Sequence, residues 1–107
     1  VIHTPGHTPE SCCFLAHDSM FTGDTLFVGR TGRTISAGSN TRHFYRSVYE
    51  KILTLPQNTI IYPGHNYGSV PYISIEDNIK ISPLLQAENE DDFVRRMDEF
   101  EASRVSV

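Results

Sequence analysis

The sequence predicts one domain of α+β class, and three observations carry that prediction. Short apolar runs rich in β-branched residues stop at Pro-Gly or Gly, as strands do where they meet turns. Two later stretches, residues 44–53 and 93–100, repeat apolar side chains at helical spacing. The order is strands, helix, strand, helices, with no low-complexity tract and no internal linker.

Val1-Ile2 opens as a strand that ends at Pro5-Gly6. Residues 11–16 form the next strand, and the polar turn His17-Asp18-Ser19 leads into residues 20–22 and then Gly23-Asp24, a hairpin pattern. Residues 29–40 (GRTGRTISAGSN) have no period and read as a long loop, a kind of segment that is uncommon and often functional. Thr41 is the predicted cap of a helix on which Phe44, Tyr45, Val48, Tyr49, Ile52 and Leu53 cover one face. Leu55-Pro56 ends it, and residues 59–62 form a strand. Ser74-Ile75-Glu76-Asp77 looks like a capping box for a short helix that Ser82-Pro83 closes. Residues 91–103 make the last helix, with Phe93, Val94, Met97 and Phe100 inward and acidic residues at its start, where the helix dipole favours them.

A chain of 107 residues is one domain or a piece of one. Its net charge of −4 argues against a nucleic-acid partner, which would call for a basic stripe. No apolar run approaches the ~18 residues of a membrane helix. No charged-then-apolar leader marks the sequence for export. Cys12 and Cys13 are adjacent, so on a strand they point to opposite faces and make poor joint ligands. They read as small packing residues in a reducing, cytoplasmic setting.

The chemistry-bearing pattern is a repeated one. Thr4-Pro5-Gly6-His7 and Tyr62-Pro63-Gly64-His65 each place a histidine just past a Pro-Gly break after an apolar run, and Phe21-Thr22-Gly23-Asp24 does the same with a carboxylate. Loops at strand ends on a rigid sheet are common places for binding groups. Proline fixes φ, and glycine permits turns that a Cβ forbids. Two imidazoles and a carboxylate displayed in this way point to a metal site of zinc, iron or manganese type. Taken singly, each is as well read as a turn or surface residue. His3, His17 and His43 do not follow the strand-break layout and are assigned no such role.

HTPGHTPESCCFL, FTGDTLFVGRTGRT and LPQNTIIYPGHNYG, in that order, resemble the metallo-β-lactamase superfamily. Within it they look most like the glyoxalase II-type hydrolases and the related persulfide dioxygenases. The resemblance runs from His3 to about Leu85, and the last helix fits loosely. It implies a four-layer αββα sandwich with metals at one edge of its two sheets. Residues 1–107 would be the C-terminal half of that domain: one mostly antiparallel sheet with helices on one face. It implies that His7 and Asp24 are metal ligands, with Asp24 bridging where two ions are bound, and that His65 binds the second metal. The cofactor would be one or two divalent ions, zinc or iron.

Two departures from the family pattern follow. The family's upstream His-x-His-x-Asp-His run is not in this chain, and with it go the other ligands and the Asp that acts on the water. The chain alone is therefore expected to be inactive, to leave apolar sheet surface uncovered, and to pair with the missing half or with itself. Relatives also commonly read Gly-Arg-Thr-Asp where this chain has Gly32-Arg33-Thr34-Ile35. Arg30 and Arg33 remain, read equally as holders of a substrate anion, such as a glutathione carboxylate, and as solvated loop residues.

The resemblance implies a first function and a runner-up, and the missing upstream run supports a third reading of another class. The first is hydrolysis of a glutathione-type thioester by a metal-bound hydroxide. The second is oxidation of a glutathione persulfide at a single iron. The third is a non-catalytic role as a folding or assembly partner. His65 does not separate the first two, because relatives of both types carry a histidine there.

Overall fold

The computed structural model describes residues 1–34, 38–65 and 70–105. Strands β1 (Ile2–His3), β2 (Cys12–Ala16), β3 (Ser19–Gly23), β4 (Ile60–Pro63) and β5 (Ile73–Ser74) form one sheet in sequence order. All neighbours are antiparallel except β3 and β4, which run parallel. Between those two the chain crosses over through α1 (Thr41–Arg46) and a π-helical continuation, Ser47–Ile52. After β5 come α2 (Ile75–Ile81), a 3-10 turn (Pro83–Leu85) and α3 (Glu90–Val105).

Strand alternation sorts the two sheet faces. Cys13, Met20 and Ile61 turn inward and pack with Phe44, Val48, Ile52, Ile75, Phe93 and Met97 in the core. Across the opposite face runs a ribbon of aromatics. Phe14 pairs with Phe21 across β2 and β3, Phe21 stacks on Tyr62 at 5.5 Å, and Tyr62 meets Tyr72 at 5.5 Å. Phe14, Phe21 and Tyr72 are each half exposed or more.

The long helix departs from its expected form in two ways. Its cap is Asn40 rather than Thr41: the Asn40 side chain accepts from His43 N at 3.0 Å, and Thr41 is the first helical residue. Both residue types cap well, so an adjacent pair leaves the boundary open by one position. The second half is π-helical, and Leu53 N reaches back five residues to Val48 O at 2.9 Å. Ser47 Oγ, donating to Pro5 O at 2.7 Å, ties this junction to the turn that follows β1.

Strand β5 was not expected, because it is two residues long and runs directly into the predicted helix cap. Ser74 does cap α2, its Oγ accepting from Asp77 N at 3.1 Å. Helix α3 starts at Glu90, with Asn89 Oδ1 accepting from Asp92 N at 2.8 Å. The Asp92 carboxylate is held down to about 2 by the Glu88 N–H and the Arg95 and Arg96 guanidinium groups.

Tyr49 joins the crossover helix to the 3-10 turn. Its hydroxyl donates to Leu84 O at 2.7 Å and accepts from Ala87 N at 3.0 Å, and burial pushes the phenol up to about 12. The folded state therefore holds this proton more tightly than the unfolded chain does. The resulting stability is complete below pH ~10 and is lost as pH rises towards ~12. Tyr49→Phe should remove this alkaline dependence and cost about 1–3 kcal/mol, since two backbone groups lose their partner. Urea unfolding of both proteins across that alkaline range would check it.

Candidate metal centre

Strand direction assembles the site. Strands β1, β3 and β4 point the same way, because β2 reverses between the first two and β4 is parallel to β3. Their C-terminal ends therefore reach one edge of the sheet, and His7, Asp24 and His65 follow those ends.

After β1, Thr4 is buried and its N–H bonds Ser11 O at 2.8 Å. Gly6 then turns at φ +139° against the start of α1. Its carbonyl accepts from Asn40 N at 2.7 Å, and the His7 carbonyl accepts from Ser39 Oγ at 2.6 Å. The His7 Nδ1–H donates to the Arg33 carbonyl at 2.5 Å. A carbonyl only accepts, so in the neutral ring the proton sits on Nδ1 and Nε2 is left as the basic nitrogen. Many metal-binding histidines are oriented by such a bond.

The β3–β4 register shifts between Phe21 and Gly23, and this irregularity carries the end of β3 into the Asp24 loop. Buried Thr22 Oγ1 donates to Leu26 O at 2.7 Å and folds the loop back on itself. Gly64 N donates to Gly23 O at 2.8 Å, continuing the parallel ladder one residue past Pro63. A Cβ at Gly64 would lie 3.1 Å from that carbonyl, so glycine keeps the two loops in close apposition. His65 consequently stands beside Asp24, with Nδ1–H to Oδ1 at 2.9 Å.

One pocket of about 200 Å³ is bordered by His7, Asp24, His65, Arg30 and Arg33, together with Phe27, Thr31, Gly32 and Phe100. All five residues singled out from the sequence thus border a single concavity. His3, His17 and His43 do not line it. Among the described residues, no three His, Cys, Asp or Glu side chains converge tightly enough to hold an ion by themselves. The donors present, two imidazoles and a carboxylate with one ring already oriented by a main-chain carbonyl, are chemically suited to zinc or iron.

Cys13 adds no thiolate. Burial pushes its thiol up, and Thr4 Oγ1 lies 3.5 Å from its sulfur.

Sequence reasoning missed the far wall of the pocket. Phe27 is buried with its ring 6.2 Å from that of His65, and Phe100 comes from α3. Arg33 Nε donates to Glu101 Oε2 at 2.8 Å. The inward spacing of Phe100 on its helix was the only advance signal for this wall. Asn66, Tyr67 and Gly68 of the family-like motif, and Ile35, where the chain departs from the family pattern, lie outside the described residues.

A mixed sheet with candidate metal donors on loops at one edge is the α+β arrangement that the sequence leads one to expect. A sequence model of the metallo-beta-lactamase superfamily matches residues 1–65, and the chain belongs to that superfamily. Persulfide dioxygenase ETHE1, mitochondrial, of Mus musculus is 38% identical over 97 residues, covering 89% of this chain and 38% of the mouse protein. A hydroxyacylglutathione hydrolase of Tolumonas auensis is 43% identical over 67 residues, covering 63% of this chain and 25% of that protein. The crystal structure of ETHE1 from Myxococcus xanthus superposes with a TM-score of 0.84 at 34% identity, covering 92% of this chain and 44% of that one. TTHA1623, solved in a di-iron-bound form, gives a TM-score of 0.69 at 30% identity, over 78% of this chain and 40% of that one. The matched part of the chain thus spans less than half the length of each of these proteins.

Proposed function

We propose that this chain supplies one half of the metal pocket of a glyoxalase II-like thioester hydrolase acting on a glutathione-derived substrate. The observation that carries the reading is the convergence of His7, Asp24 and His65 on one pocket from the ends of three co-directional strands. A divalent ion held there supplies a water acidified to near neutrality and a Lewis acid for the thioester oxygen. His7 and His65 would offer ring nitrogens to a bound ion, and Asp24, beside His65, would offer carboxylate oxygens. Arg30 would bring positive charge for a substrate carboxylate, Arg33 borders the same pocket with its charge matched by Glu101, and Phe27 and Phe100 give an apolar wall for the thiol conjugate.

Among the described residues the donors close no cluster, so the proposal includes an upstream half. That half completes the ligand set and covers the aromatic face of the sheet. A second copy of the chain on that face is the alternative.

A second reading is persulfide oxidation at one iron held by His7, Asp24 and an upstream ligand, supported by a dioxygenase-named relative 38% identical over 89% of the chain. Hydrolase-named relatives cover as much as 87% of it, so the extent of similarity does not separate the two readings.

Elemental analysis of the 107-residue chain, and of the same chain extended upstream, tests the split site. Metal only in the extended form is the expected result, and stoichiometric metal in the short chain would mean that these residues close a site unaided. On the extended form, hydrolysis of lactoylglutathione with two metals supports the first reading. Oxygen uptake on glutathione persulfide with one iron per chain replaces it with the second.

A further inference from the structure

We propose that Glu101 is a positioning residue for the His7 side of this centre, an inference that rests on the metal-binding reading above. Arg33 Nε donates to Glu101 Oε2 at 2.8 Å, tying the loop after β3 to a helix 68 positions further on. The Glu101 side chain is only 12% exposed, and its Oε1 is buried without a hydrogen-bond partner. Among the described residues, Arg33 is the group that answers this carboxylate. The main-chain carbonyl of the same Arg33 accepts the Nδ1–H of His7. One residue therefore has its side chain fastened to α3 and its carbonyl fastened to a candidate metal ligand.

The two ends of this tether differ in rigidity. Helix α3 is anchored in the core through Phe93 and Met97. Residues 31–34 belong to no regular element and are held by a bridge from Thr31 to Leu26, a bond from Gly32 N to Thr25 O at 2.9 Å and one between the Thr34 and Thr41 hydroxyls at 2.7 Å. They also lie hard against Asp24, since a Cβ on Gly32 would fall 2.0 Å from the Asp24 carbonyl oxygen and 3.2 Å from the His7 ring. A shift of this loop would thus be felt at two of the three donors.

Stability alone does not account for the pair. A largely buried carboxylate with one oxygen unmatched loses much of its Coulombic gain to desolvation. What the pair does supply is direction: it sets where the Arg33 carbonyl sits, and that carbonyl selects the His7 tautomer with Nε2 available. Groups that orient a ligand in this way typically govern metal affinity by about 10–100-fold.

The experiment uses the chain extended upstream, the form expected to retain metal, and compares its wild type with Glu101→Gln, Arg33→Gln, the double variant, and Glu99→Gln as a control on the same helix. NMR of the His7 ring nitrogens in metal-free protein at pH ~8, above the ordinary imidazole range, reads the tautomer. The wild type and Glu99→Gln should show the Nδ1–H form, and Glu101→Gln and Arg33→Gln should show a mixture. Affinity for Co²⁺ alone should fall about tenfold in each of those two variants. The double variant should lose no more than either single one, because the two side chains act as a unit. An unchanged His7 signature in the variants overturns the proposal, as do losses that simply add in the double variant. If Glu101→Gln does not fold, Arg33→Gln cuts the same tie from the loop side and decides the matter. Failure of the wild type to bind Co²⁺ would count against the metal reading instead, and the ring signature would still decide the tether.

Discussion

Replacing His7 with alanine, or Asp24 with asparagine, is expected to lower divalent-metal affinity by about 100-fold or more, whereas His17→Ala leaves it unchanged. The magnitude follows from what each substitution takes away. Altering a group that merely orients a ligand costs about 10–100-fold, and removing the donor itself should cost at least the upper end of that range. Asparagine keeps the shape of Asp24 while removing its charge, so a weaker affinity there reports on electrostatics and donor strength rather than on packing. His17 makes a demanding control. It occupies the tight turn between β2 and β3, with φ 57°, at the opposite end of the sheet from the three donor loops. Competition with a chromophoric chelator for Zn²⁺, in the form of the protein that retains metal, would give the three affinities. Equal affinities in all three variants would defeat the assignment of His7 and Asp24.

Gly6→Ala should be strongly destabilising, at about 3 kcal/mol or more. Two independent penalties coincide at this position. Gly6 adopts φ +139°, which an L-residue with a Cβ rarely occupies. The added carbon would also fall 2.2 Å from Phe44 Cβ and 2.4 Å from its Cα, and backbone cannot rotate out of the way as a flexible side-chain tip can. Phe44 is fully buried and packs edge-on to Phe93, so displacing it loosens the packing of α1 on α3. Urea denaturation would check this; a midpoint within experimental error of the wild type would show that the turn accommodates a side chain after all.

The pocket position of the three candidate donors was legible in the sequence because each is marked by a local signal. Pro-Gly or Gly stops a strand wherever it occurs, and a residue just beyond the stop must lie on a loop. The sharing of one edge by three such loops was not local, since it depends on β4 lying parallel to β3 after the α1 crossover. The π-helical turns over Ser47–Ile52 were hidden for a related reason. Bonds reaching back five residues bury Phe44, Val48 and Ile52 on the same side as an α-helix would, so the apolar pattern looks alike. Asn40 and Thr41 both cap helices well, and only the His43 N–H selects between them. The tie from Arg33 to Glu101 lies furthest from inspection. Each residue alone reads as an exposed charge, and only the packing of α3 brings them together.

The parallel pairing of β3 with β4 also has a kinetic consequence. The β2–β3 hairpin closes over a few residues and belongs to the fast class of folding events. His65 meets Asp24 across 41 positions of chain, a meeting that must wait for the crossover helix to form and dock. The pocket is thus among the last features to exist during refolding. A metal present at the start would find only scattered single donors, and its capture would report the final step of folding rather than guide the first.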